Sequence, residues 1–361
     1  MMLIKEKFKI LIPRVVVSMF TFLILFVLLE LSLRVLKIQS DNFIKQDPVL
    51  GWTHLTNKEG YSIGKEFKVK RRLNKDGFIG RDYSYTKKPD IYRIVIVGDS
   101  LTEGFQVNEN DTYSALIESK INNMGFDKKV EILNMGIAGY GTQRELYVLE
   151  KEGLRFNPDL LILAFFVGND FTDNMNENID RKAKFSEFQE FKNDVKLFVR
   201  NHSVAWRFVL YQKSRNKFLN YFKNRNNPTA PNSIIIDPLS QKEYSEETQK
   251  MVNRSKELLL LFKKLADENK KDHLVLILPS VGQIYSEGDD NFNLEKINEV
   301  LKDYFKSQKI EYIDLLPEFK NYYRLKSEVP LYLPIDGHPS ESGHFVISER
   351  VIVYLKKLLN K

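Results

Sequence analysis

Hydrophobic and polar positions divide the chain into three stretches of different rhythm. Val15–Leu29 carries no charge and is almost wholly apolar, and Leu31–Leu36 prolongs it with Arg34 as its single charge. Residues 37–92 are mixed and rich in turn signals. From Arg93 onward short apolar runs alternate with segments of helical period, which predicts alternating β and α elements.

Strands are predicted at 93–97, Val130–Leu133, Leu160–Val167, Leu274–Leu278 and Ile310–Ile313. Helices are predicted near 112–124, where Ala115, Leu116, Ile117 and Ile121 supply an apolar face, near 142–153, around 246–268, near 293–306 and over 341–358. Such alternation implies an α/β domain with a parallel sheet covered on both faces and right-handed crossovers. Residues 171–245 break the rhythm. They hold a basic, aromatic helical segment with Phe188, Phe191, Val195 and Phe198 at helix spacing, then a polar stretch with Asn226, Asn227, Pro228 and Pro231. In the lead-in, Asp47-Pro48, Leu50-Gly51-Trp52 and Asp76-Gly77 mark turns, and Phe67-Lys68-Val69-Lys70 alternates like a lysine-guarded edge strand. A small β-rich flap packed on the main domain is expected there. The expected organisation is an anchor at 1–36, a linker and lead-in at 37–92, and the α/β domain at 93–361 with its insert at about 171–245.

A membrane-spanning helix needs roughly 20 residues. Val15–Val35 reaches that length with Glu30 and Arg34 near the far interface, four apart and able to pair. A cleaved signal peptide is the competing reading, but Lys37-Ile38-Gln39-Ser40-Asp41 offers no small-x-small cleavage site. The charge-free length argues against a buried globular helix. An uncleaved anchor is therefore expected. Lys5, Lys7, Lys9 and Arg14, against Glu6, place the N-terminus in the cytoplasm and the remainder across the membrane.

The 361 residues suffice for one large domain or two small ones. The absence of cysteine excludes disulfides, thiolate zinc sites and a cysteine nucleophile. The formal charge of +7 is local in origin, since residues 181–227 hold twelve Lys or Arg and three Asp or Glu. That excess suits an anionic neighbour, such as lipid headgroups or an acidic polymer, or a solvated helix face. The segment has three candidate roles: a helical cap over the site, an interfacial helix near the anchor, or a surface for an anionic polymer. A lid helix with a buried aromatic face needs the fewest assumptions. Nucleic-acid binding is not expected, because no recognition motif accompanies the charge. His54, His202 and His273 lack metal-ligand spacing and suit packing or surface roles. The oxygen-rich run Asp170, Asp173, Asn174, Asn176, Asn178 and Asp180 lacks the glycine and terminal glutamate of a Ca²⁺ loop and reads as solvated loop. Neither a metal nor a cofactor is expected.

Three predicted strands end in polar or glycine-rich sequences: Gly98-Asp99-Ser100-Leu101, Asn134 through Gly141, and Gly168-Asn169-Asp170. In a parallel sheet these ends share one edge, where α/β folds place their sites. The first turn also suits Asp99 or Ser100 as a helix N-cap. The loop Asp336-Gly337-His338-Pro339 can reach the same edge. Acyl transfer needs a hydroxyl nucleophile, a base held in one tautomer by a carboxylate, and donors aimed at the developing oxyanion.

This set resembles the SGNH/GDSL family of serine hydrolases and acyltransferases over residues 93–358, with the insert as its weakest part. Gly98-Asp99-Ser100-Leu101 matches the family's first block, Asn134-Met135-Gly136-Ile137-Ala138-Gly139 its second, Gly168-Asn169-Asp170 its third and Asp336-Gly337-His338-Pro339 its fifth. The resemblance implies a flavodoxin-like three-layer α/β/α fold, Ser100 as nucleophile, His338 as base oriented by Asp336, and an oxyanion hole from the N–H groups of Ser100 and Gly139 with the Asn169 amide. The usual last block is Asp-x-x-His, whereas one residue separates Asp336 from His338 here. His344 is a second histidine nearby, with packing or capping as its simpler role. The Gly-x-Ser-x-Gly elbow of α/β-hydrolases is absent. The expected protein is a membrane-anchored ester hydrolase acting on an acylated cell-envelope glycan or lipid. Alternatives are an O-acyltransferase working with a membrane partner that donates the acyl group, and a non-catalytic envelope-binding protein.

Overall fold

The computed structural model describes residues 2–36, 39–177, 179–210, 238–285 and 293–360, with side chains from residue 12 onward. It falls into two compact units: Phe43–Lys184 with Ser233–Lys361, and Met1–Asn42 with Phe185–Asn232.

The first unit is built on five parallel strands: β5 (Ile91–Gly98), β6 (Lys129–Asn134), β7 (Leu160–Phe166), β8 (Asp272–Leu278) and β9 (Tyr312–Asp314), in the order β6-β5-β7-β8-β9. In β5 successive side chains enter opposite cores: Val95 and Val97 pack on one face of the sheet, Ile94 and Ile96 on the other. Burial on both faces is why these strands read as continuous apolar runs. The chain leaves β5 toward β6 on one side and reaches β7 on the other. The C-terminal ends of β5 and β7 therefore flank the switch point where doubly wound sheets hold their ligands.

The helices Tyr113–Asn122, Thr142–Lys151, Glu246–Glu268, Lys296–Gln308 and Glu341–Leu359 cover the sheet near their predicted places. Leu316–Leu325 is a further helix that the apolar pattern did not single out; Leu316 and Phe319 fix it to the core. The lead-in forms two antiparallel hairpins, β1 (Ile44–Asp47) with β2 (Gly51–His54) and β3 (Lys58–Ile63) with β4 (Lys68–Leu73).

Among its described residues the oxygen-rich run is a solvated loop only at Asp180, which is exposed outside any helix or strand. Asp170–Asn176 is a helix with Asp170 and Asn174 buried. The Asn174 side chain accepts from the Thr142 N–H at 2.8 Å and donates to Thr142 Oγ1 and Ser255 Oγ, so buried polar partners replace water. Asn178 lies outside the described residues.

In the second unit the N-terminal helix runs from Met2 to Leu36, and its segment Ile12–Leu36 is long and apolar enough to cross a membrane. The insert contributes the helix Glu187–His202 and helical residues 204–210. The expectation of a buried aromatic face fails: Phe188, Phe191, Val195 and Phe198 are all exposed. Helical period marks a shared face but not what that face meets. The polar stretch around Asn226–Pro231 lies outside the described residues.

Candidate active site

Ser100 is the first residue of a short helix, Ser100–Glu103, directly after β5. Asp99 is its N-cap, accepting from the Leu101 N–H at 2.9 Å, so the capping role belongs to Asp99 and Ser100 Oγ stays free for another partner. That partner is His338 Nε2, at 2.9 Å. His338 Nδ1 lies 2.6 Å from Asp336 Oδ1. Because an ionised carboxylate only accepts, Nδ1 carries the proton and Nε2 is left to accept from the Ser100 hydroxyl. The two residues meet across a single intervening residue, Gly337, whose φ of +82° is a left-handed conformation that glycine adopts without strain.

Burial lowers the His338 pKa, but the hydrogen bond and charge of Asp336, joined by Asp99 and Glu103, outweigh it and the net shift is upward. Burial pushes the Asp99 carboxyl up to about 6, against the Leu101 N–H and the Asn169 amide, which favour its charged form. His344 is a different residue altogether. It is fully buried, stacked 5.8 Å from the Tyr113 ring, and burial pushes it down to about 3, so it packs as a neutral side chain.

The oxyanion candidates converge on the same edge. Gly139 follows β6 with φ +74°, and a Cβ there would sit 3.2 Å from the Trp52 ring. No hydrogen bond among the described residues uses the N–H of Ser100 or of Gly139. Asn169 follows β7, and its amide favours the charged form of the Asp99 carboxyl. Asn134 ties the loop before Gly139 to the turn after Ser100, accepting from the Gly136 N–H and donating to the Thr102 carbonyl at 2.7 Å. A Cβ on Gly136 would stand 2.3 Å from the Glu103 nitrogen, so only glycine permits this approach.

The lead-in adds residues that motif reasoning did not find. Trp52 donates its indole N–H to the Ala138 carbonyl at 3.1 Å and closes the space beside Gly139. Buried His54 contacts Glu103 at 2.6 Å, and buried Arg71 donates to the carbonyls of Glu103 and Val107. Glu66, in the β3–β4 turn, accepts from the N–H groups of Ile335 and Asp336, both at 2.8 Å. Only the turn position of Trp52 carried a hint in the sequence; the others act across chain separations no local motif reports. Glu66→Ala is expected to lower kcat by about tenfold through a looser Asp336 loop. Glu66→Gln, which keeps an acceptor, should restore most of the loss; equal kcat in all three proteins would show that Glu66 holds nothing in place.

A hydroxyl, a base and a carboxylate in one relay beside unused N–H donors define the geometry of a serine hydrolase on a three-layer α/β/α scaffold. Residues 96–345 match the GDSL-like lipase/acylhydrolase family. The chain belongs to that family and is a serine ester hydrolase. No curated protein matches it. Among solved structures it is similar to the acetyl xylan esterase AlAXEase, at 13% identity and TM-score 0.43 over 73% of this chain and 99% of that one. It is also similar to a two-domain esterase active on acetylated mannans, at 13% identity and TM-score 0.42 over 75% of this chain and 50% of that one. A third is a putative lipolytic protein of the G-D-S-L family from Desulfitobacterium hafniense, at 14% identity and TM-score 0.40 over 72% and 98% of the respective chains.

Proposed function

We propose that this protein is a membrane-anchored hydrolase that removes short acyl groups, acetyl above all, from a cell-envelope glycan or lipid through an acyl-enzyme at Ser100. The relay from Ser100 through His338 to Asp336 is the observation that carries this reading. His338 takes the Ser100 proton as Oγ bonds to the ester carbonyl carbon. The N–H groups of Ser100 and Gly139 and the Asn169 amide stabilise the oxyanion. His338 then gives its proton to the departing alcohol, and water resolves the acyl-enzyme by the same steps in reverse. The Trp52 ring packs beside Gly139, and a bulky ring at that edge of the site supports a short acyl group. The apolar segment Ile12–Leu36 supports the anchor, and the basic residues ahead of it support an N-terminus in the cytoplasm.

Detergent-solubilised full-length protein should hydrolyse acetyl esters faster than octanoyl esters of the same alcohol by at least about tenfold, on the scale at which a pocket discriminates methylenes. Preference for the longer chain would overturn the acetyl assignment. Transfer to a sugar hydroxyl in place of water would reassign the protein as an acyltransferase. A disulfide-dependent phosphatase reporter fused after Lys361 should be active, as it is only outside the cytoplasm; an expressed but inactive fusion would reverse the orientation.

A further inference from the structure

The insert presents an apolar surface with a defined attachment. No residue of the helix Glu187–His202 is buried, and Phe188, Phe191 and Phe198 are 67%, 65% and 62% exposed. With Val195 they form a single stripe. Four of the five less exposed positions, Gln189, Asn193, Leu197 and Arg200, fall on the opposite side of the helix, and the fifth, Val199, lies beside the stripe. The stripe therefore faces away from the rest of its own unit. Residues 204–210 add Trp206 and Val209, which are exposed as well.

Both helical pieces are fastened to one place on the N-terminal helix. Glu30 accepts from the N–H groups of Val204 at 2.9 Å and Ala205 at 2.8 Å and from the Ser203 hydroxyl at 3.1 Å, capping residues 204–210 from outside their own helix. Arg34 donates to Glu30 at 2.8 Å and to the His202 carbonyl. Leu33 and Ala205 are buried. Glu30 and Arg34 lie in the last two turns of the apolar segment Ile12–Leu36, so the attachment is at one end of it. An acidic and a basic side chain near the end of an apolar segment are thereby given protein partners, as polar groups at membrane depth require.

We propose that helices 187–202 and 204–210 lie in the plane of the membrane, with the stripe of Phe188, Phe191, Val195 and Phe198 sunk into the headgroup–acyl boundary of the leaflet where the span ends. This rests on reading Ile12–Leu36 as a membrane anchor. Continuity favours lipid as the occupant: the apolar residues of the anchor segment are exposed almost throughout, and the insert is tied to its end. Lys192 and Lys196 border the stripe on one side and Glu187 and Asp194 on the other, and the Lys192 ammonium lies 4.3 Å from the Phe188 ring centroid, a polar head beside apolar surface as at a lipid interface. The insert gives the anchor an in-plane foothold in addition to the span.

The cysteine-free chain permits a direct test. Full-length Leu23→Cys, Glu190→Cys, Phe191→Cys and Val195→Cys, each spin-labelled and reconstituted into phosphatidylethanolamine–phosphatidylglycerol vesicles, are compared for relaxation by oxygen and by a water-soluble nickel chelate. Ester turnover of each labelled protein reports an intact fold. Labels at positions 191 and 195 should be relaxed by oxygen and shielded from nickel, at a depth of about 5–10 Å. The label at position 190 should respond the opposite way, and the one at position 23 should lie deepest. Nickel access at 191 and 195 equal to that at 190, with 23 still deep, would overturn the in-plane helix and leave the anchor standing. Nickel access at 23 as well would overturn both.

Discussion

Ser100→Ala is expected to reduce ester turnover by at least about 10³-fold while leaving the melting temperature within a few degrees of wild type. The hydroxyl has one described partner, His338 Nε2, so its removal costs the fold little. Its chemical cost is large because no other hydroxyl occupies this position in the relay. Asp99 still caps the helix Ser100–Glu103, and the lead-in contacts from His54 and Arg71 remain. A fluorophosphonate probe should label wild type covalently and leave Ser100→Ala unlabelled. Labelling or turnover that survives in a folded Ser100→Ala protein would exclude Ser100 as nucleophile.

Asp336→Asn should lower kcat by about 10³–10⁴-fold and also move the pH profile. In the proposed mechanism the working base is neutral His338. Its pKa lies above the usual 6.5, because the hydrogen bond and charge of Asp336 prevail over burial. Activity in the wild type is therefore low below that raised value and rises as pH increases through it. Asparagine removes the hydrogen bond to a charge and the charge itself, while burial still favours the neutral ring. The acid limb of kcat/KM should shift to lower pH, although the plateau falls. A plateau that drops with an unmoved acid limb would mean that Asp336 merely shapes the loop. An unchanged plateau would remove Asp336 from the relay.

The doubly covered sheet was legible in the chain because β5, β7 and β8 are buried on both faces and so appear as unbroken apolar runs. The blocks around Ser100, Gly139, Asn169 and His338 were legible for a related reason: each lies directly after a strand or before a helix, where local sequence and backbone geometry coincide. The same locality misplaced Asp170 and Asn174 in a solvated loop. The Asn174 partners Thr142 and Ser255 lie far away in the chain, and only the fold supplies them, whereas Asp170 accepts from the nearby Phe166 N–H.

Sequence alone determined the strands and the order of the blocks that bring Ser100, Gly139 and Asn169 to one edge. It does so because period, turn residues and motif spacing are properties of contiguous residues. Tertiary structure decided how the chemistry is held. His338 meets Asp336 across a left-handed Gly337, Glu66 holds that loop from 270 residues away, and Trp52 packs beside Gly139. It also decided the direction of the insert's aromatic stripe. Amphipathic period is the same whether a helix faces a core or lies open, so the choice between lid and exposed face rests on the contacts of Glu30 and Arg34 and on the exposure of Phe188, Phe191 and Phe198.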